Sequence, residues 1–445
     1  MRNRLGINDY GQSASYNFFS YIIKLDGRVT DNKGNFLRTA MPAILHEYFH
    51  YYIQFNSAFY LEGFIYNLEI IHQLVLMNNK EIDIPILNSI EYGDIEKTDE
   101  KVKLIAYFLY NEEVWLQRMG NVEKGLFDSN ISDIKKIVLG LGFNINLPGY
   151  YDEKFIIPEI VLNDNRRIIF GELAINEGMA ALLDKSLIFK YTNDCNIFQK
   201  KYGFPYDILC YFIALTGFSL QDILLISDIS MQHPSPGYYF LKLVNKYNDA
   251  KDSHKGLGFY EEFYRAELLS EEIKKYREHF SEELSRFNVY EGTPMEWVIN
   301  KYKSSIKRLD TGELPIYFRL FSEGNDDNIY DIFRGFEPPL FIDDDGIYYP
   351  LMDTNNKWNR DESIFSIWRY NMFFRGLYAY RQYLLYGGHS KKCPLFDECK
   401  YHCHDKKLRE ICVGNYDVLT SEYGCEMNRA IKFFQCLRDF EPHEI

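Results

Sequence analysis

The stretch MPAILHEYFHYYIQF, residues 41–55, is apolar apart from a histidine, a glutamate, a second histidine and Gln54. In a helix, His46 and His50 are four residues apart, so both imidazoles leave the same face and can converge on one ion. Glu47, one residue on, is carried to the flank of that face, beside the ion rather than on it. H-E-x-x-H on a helix is therefore a candidate zinc site with a carboxylate placed to act as a base. The competing reading is a core helix that buries two histidines. Thr39 is a plausible N-cap, and Pro42 falls in the first turn, where a missing N–H costs nothing.

Composition sets the frame for that helix. The chain has 445 residues and is 46% hydrophobic, enough to bury a sizeable core across two or three domains. Its 37 Tyr and 34 Phe argue against long disordered tracts. A formal charge of -14 argues against a general nucleic-acid binder, because phosphate affinity comes from clustered Lys and Arg. The N-terminus has no apolar run followed by small cleavage-site residues, which argues against export. The most apolar run, Ile208 to Leu220, is closed by Asp207 and Asp222. It is too short to span a bilayer and reads as a buried helix, so no membrane partner is expected.

Around the histidine helix the pattern alternates between strands and helices. Residues 14–38 read as two or three strands with turns at LDGR and DNKGN. Helical periodicity runs from Tyr60 to Leu76, over DEKVKLIAYFLYNEEVWLQRM and over FGELAINEGMAALLDKSL, with loop and short strands between Gly140 and Phe170. QHPSPGYY reads as a loop before the helix YYFLKLVNKY. From about residue 250 the segments become charged and amphipathic, as in SEEIKKYREHFSEELSRF. In PPLFIDDDGIYYPLM the DDDG is read as a hairpin turn, since the spaced ligands of a calcium loop are missing.

A catalytic zinc needs three protein ligands and an open position. The metzincin arrangement would put a glycine and a histidine where Ile53 and Asn56 stand, which rules out that subclass. A glutamate from another helix is the alternative. Glu62 is close to His50 in sequence, Glu69 leaves room for a turn and a returning helix, and Glu177 lies in INEGMAALLD. There Gly178, Ala180 and Ala181 thin one flank of a helix. A mid-helix glycine costs roughly 1 kcal/mol against alanine, so it calls for a packing reason.

HEYFH followed by NEGMA resembles the gluzincin branch of zinc metallopeptidases, the group that includes thermolysin and the aminopeptidase N type. The gap between His50 and Glu177 is far longer than in those two families. HEYFHYYIQ is also similar to a helix of uncharacterised bacterial proteins of predicted peptidase type. The resemblance implies that His46, His50 and Glu177 bind zinc and that Glu47 is the general base. It also implies a Tyr or His for the oxyanion, with Tyr238, Tyr239 and His233 as candidates by position. Asp184 is either an outer partner of a ligand histidine or a surface carboxylate.

A second metal candidate lies near the C-terminus. Cys393, Cys399, Cys403 and Cys412, with His402 and His404 interleaved, suit a closed structural zinc site. An iron–sulfur cluster or free thiols are the alternatives. Six of the eight cysteines lie after residue 390, which is not a disulfide framework and fits a reducing, cytoplasmic setting.

These readings combine into an α+β, mostly helical chain. A zincin-like catalytic region with a small N-terminal sheet is expected over residues 1–250, and a helical region over 251–445 with the cysteine cluster at 393–412. The expected function is a zinc metallopeptidase acting on a protein or peptide, with a regulatory protein as a further partner. The alternatives are an inactive binding or regulatory protein on a zincin scaffold and a hydrolase of non-peptide amides.

Overall fold

A computed structural model describes residues 4–7, 13–17, 22–25, 27, 40–76, 100–120, 131–139, 155–192, 203, 205–251, 257–290, 294–318, 340–343, 346–348 and 381. Cys393, Cys399, Cys403 and Cys412 lie outside the described residues. Within them the fold is mostly helical with small sheets, an α+β arrangement. No helix among the described residues is long and apolar enough to cross a membrane.

At the centre is α1 (Met41–Phe55), whose residues 43–55 are all buried. A helix buried on every side must satisfy its polar side chains from neighbouring elements, because water cannot reach them. Its N-cap position is Ala40, with no side-chain cap, rather than the expected Thr39. Pro42 is in the first turn as expected. Asn56 closes the helix, and α2 (Ala58–Leu76) begins two residues later, slightly before the expected Tyr60.

The helix α2 packs on α3 (Glu100–Arg118) at close range. A Cβ on Gly63 would come within 2.4 Å of the Trp115 ring, so only glycine admits this approach. Trp115 then donates its indole N–H to the Phe59 carbonyl at 2.8 Å.

Two sheets flank the helices. One has the order β1 (Arg4–Ile7), β2 (Ser13–Asn17), β3 (Ile22–Leu25), β7 (Leu340–Asp343) and β8 (Gly346–Tyr348). Its β3–β7 pair is parallel, with Ile22 opposite Leu340, and joins residues more than three hundred positions apart. The β7–β8 pair sets Asp343 opposite Gly346, which fits the hairpin expected at DDDG. The other sheet is antiparallel, in the order β4 (Ile131–Leu139), β5 (Phe155–Leu162) and β6 (Arg167–Ile169).

After β6 comes α4 (Glu172–Thr192), which packs along α1. The apolar run from Ile208 is split rather than continuous. α5 (Ile208–Thr216) stops at Gly217, whose φ of +66° supplies a left-handed cap, and Leu215 is 63% exposed. A capping box between Ser219 and Asp222 then starts α6 (Leu220–Ser230). α7 (Pro236–Lys251) begins two residues earlier than expected, because Pro236 is tolerated in its first turn and Tyr239 N–H already bonds the Ser235 carbonyl.

Beyond residue 250 follow α8 (Leu257–Leu268), α9 (Glu271–Ser285) and α10 (Pro294–Thr311). Ile273, Arg277, Phe280 and Leu284 form the buried stripe of α9, at the spacing of one helix face. Residues on both sides of position 250, from Ile23 to Phe341, share one hydrophobic core.

Candidate metal centre

Two antiparallel helices build the centre. As α1 runs forward from His46 to His50, its partners on α4 run backward from Asp184 through Glu177 to Asn176. His46 Nε2 lies 3.3 Å and His50 Nε2 3.2 Å from the same oxygen, Glu177 Oε2. All three atoms lie within 4.8 Å of one another. The three residues His46, His50 and Glu177 are 7%, 2% and 5% exposed respectively.

Each histidine is turned by a second contact. His46 Nδ1 meets Asp184 Oδ2 at 3.1 Å, and His50 Nδ1 meets Asn176 Oδ1 at 2.8 Å. Partners on the Nδ1 side aim both Nε2 atoms at Glu177, the arrangement that metal-ligating histidines commonly use. The imidazoles meet edge to face, with centroids 4.8 Å apart.

The donor set fits zinc. Ligands about 2.05 Å from a tetrahedral ion are about 3.3 Å from one another, close to the two nitrogen–oxygen separations here. Two imidazoles and one carboxylate leave a fourth position for water or substrate.

Burial opposes charge on His46, but the hydrogen bonds it donates to the Asp184 and Glu177 carboxylates outweigh it and hold its pKa well above 6.5. The nearby Glu47 charge acts in the same direction, and Glu47 is itself 1% exposed. Burial likewise opposes charge on Glu177, yet His50 and His46 hold its carboxyl well below 4.5.

The other candidates are held elsewhere. Glu62 receives Arg118, Tyr66 and Tyr276. Glu69 interacts with Glu283, Arg286 and Gln73. Among the described residues, neither belongs to the group that could hold an ion. Asp184 reaches His46 rather than standing on the surface. Seven residues are two helical turns, which puts Glu177 and Asp184 on one face, and that spacing was the signal for it.

His233 and Tyr239 are engaged with the helices beyond residue 257. His233 Nε2 lies 2.9 Å from Glu272, its ring stacks on Tyr239 at 4.4 Å, and Tyr239 donates to Glu267. Tyr238 has its ring centroid 6.5 Å from His233.

Sequence reasoning missed Asn176 and Tyr206. Asn176 stood in the NEGMA string itself, while no local pattern marks Tyr206, whose ring centroid is 5.9 Å from His46. Gly178 has the packing reason expected of a mid-helix glycine, and the helix it admits is α5. A Cβ there would lie 2.6 Å from Leu209 Cγ, so the glycine brings α4 onto α5. Comparison with protein-family models, curated proteins and solved structures gives no match to this chain.

Proposed function

We propose that this chain is a zinc-dependent metallopeptidase of gluzincin type with a zincin-like catalytic region. The observation that carries this reading is the convergence of His46 Nε2, His50 Nε2 and Glu177 Oε2, with Glu47 one residue from the first ligand. A bound zinc would supply Lewis acidity, lowering the pKa of water to about 7 and polarising a carbonyl.

The chain's own groups do the rest. Asp184 and Asn176 hold the imidazoles so that Nε2 faces inward. Glu47 accepts the proton of the attacking water at its carboxylate and returns it to the leaving amine. Tyr206, beside His46, is the phenol we assign to the carbonyl oxygen as negative charge develops there.

Burial of the ligands to 7% exposure or less favours a second reading, in which an ion only staples α1 to α4 in a binding or regulatory protein. Non-peptide amides remain a third substrate class, since the same chemistry hydrolyses them. Glu47→Gln separates the first two readings. In the zinc-loaded protein, cleavage of a peptide library read by mass spectrometry should fall by about 10²–10⁴-fold while zinc content is unchanged. Undiminished cleavage removes Glu47 from the mechanism, and no cleavage by the parent favours the staple.

A further inference from the structure

Behind the histidines lies a buried polar chain that the hydrolytic chemistry does not use. Asn176 Nδ2 lies 2.6 Å from the Tyr60 hydroxyl oxygen and 2.8 Å from Glu172 Oε1, and the Tyr60 hydroxyl donates its own proton to Glu172. Tyr60 comes from α2 and Glu172 opens α4, and both are buried to 1% exposure or less.

This chain has one consistent direction. A carboxylate only accepts hydrogen bonds, and the Tyr60 proton is already committed to it. Both groups facing the Asn176 terminus on that side are therefore acceptors, so that terminus is NH₂ and Oδ1 faces His50. An oxygen 2.8 Å from His50 Nδ1 requires the proton to be on Nδ1. The lone pair of neutral His50 is then on Nε2, the atom 3.2 Å from Glu177.

We infer that Glu172 and Tyr60 are positioning residues that fix the Asn176 amide and thereby lock His50 in the Nδ1–H tautomer before any metal arrives. The inference rests on the reading of His50 as a metal ligand but not on peptide hydrolysis. Glu172 leads, because its carboxylate cannot serve either amide orientation equally. A glutamine in its place offers both a donor and an acceptor, and releases the amide to turn.

The test uses the full-length, metal-free protein with ¹⁵N-labelled histidine at alkaline pH, where neutral imidazoles report their tautomers by long-range ¹H–¹⁵N correlation. The parent should show His50, identified by its absence in His50→Gln, with its proton on Nδ1. A proton on Nε2 overturns the inference without recourse to any further variant. Glu172→Gln should mix the two tautomers and weaken Zn²⁺ binding, measured against a chromophoric chelator, by about 10–100-fold. Tyr60→Phe leaves Glu172 in place and should keep the tautomer, with a smaller loss of affinity. Parent-like tautomer and affinity in Glu172→Gln would reduce the chain to packing. If the tautomer responds but no peptide is cleaved, the positioning network stands and the peptidase reading falls. If peptides are cleaved but the tautomer is indifferent to Glu172, the reverse holds.

Discussion

The molecule buries two glutamates in polar clusters that look alike in the sequence and differ in kind. Glu62 on α2 is surrounded by permanent donors. Arg118 bonds Oε1 at 2.5 Å, Tyr66 bonds the same oxygen at 2.8 Å, and Tyr276 bonds Oε2 at 2.5 Å. Arg118 also donates to the Pro234 carbonyl and lies over the Phe155 ring. That cluster ties α2, α3 and α9 together. Glu177 faces two imidazole nitrogens, whose Nδ1 sides are held by Asp184 and Asn176. With their Nδ1 sides held by these partners, both imidazoles turn Nε2 toward the carboxylate, an atom that carries a lone pair whenever the ring is neutral with Nδ1 protonated. A buried carboxylate among donors is a structural joint, whereas one facing two oriented imidazoles is what we propose as a metal ligand.

The contrast can be broken first at the joint. Glu62→Ala leaves Arg118, only 1% exposed, as an uncompensated buried charge, and should cost roughly 3–5 kcal/mol in chemical denaturation. A loss below about 1 kcal/mol would show that the cluster is not the brace we describe.

At the ligand, Glu177→Ala should weaken zinc binding on the order of 1,000-fold. That is about 4 kcal/mol, roughly a third of the 10–16 kcal/mol typical of a bound structural zinc. Glu69→Ala should leave zinc affinity unchanged, and the reverse ranking would move the ligand to α2.

Glu69 supplies the pH test. Burial, reinforced by the Glu283 charge, raises its carboxyl to about 7 from 4.5, and Arg286 and Gln73 oppose this only partly. The folded state therefore holds a proton that the unfolded state has released. Stability from this group is full below about pH 4.5 and declines as pH rises to about 7, by at most about 3 kcal/mol. Glu69→Gln should flatten that decline in denaturation curves between pH 5 and 8. An unchanged slope would mean that Glu69 titrates normally.

The smallest expected effect is at the outer partner of His46. Asp184→Asn should lower zinc affinity by about 10-fold, since an amide can still accept from Nδ1 but carries no charge.

The sequence carried α1 and its histidine pair because the signal is local: two histidines four apart in an apolar helix specify both face and spacing. Glu177 came from the NEGMA string, and only the packing of α4 against α1 separates it from Glu69 and Glu62. β4 was missed because Ile131, Ile134 and Ile137 recur every three residues, and a register shift between Ile131 and Asp133 breaks the alternation of a strand. The β3–β7 pairing and the reach of buried Arg381 to Asn67 and Glu112 depend on contacts hundreds of residues apart, which no window of sequence contains. Tyr206 belongs to the same class, since its place beside His46 is set by how the residues before α5 meet α1.

The central claim is that His46, His50 and Glu177 hold a zinc. Anomalous diffraction from zinc-loaded crystals, collected on either side of the zinc absorption edge, tests it most directly, because it locates the ion as well as counting it. The account predicts a peak about 2.0–2.2 Å from His46 Nε2, His50 Nε2 and Glu177 Oε2. That peak should vanish in His46→Ala, while any zinc held by Cys393, Cys399, Cys403 and Cys412 remains. Full zinc loading with no peak between α1 and α4 would contradict it.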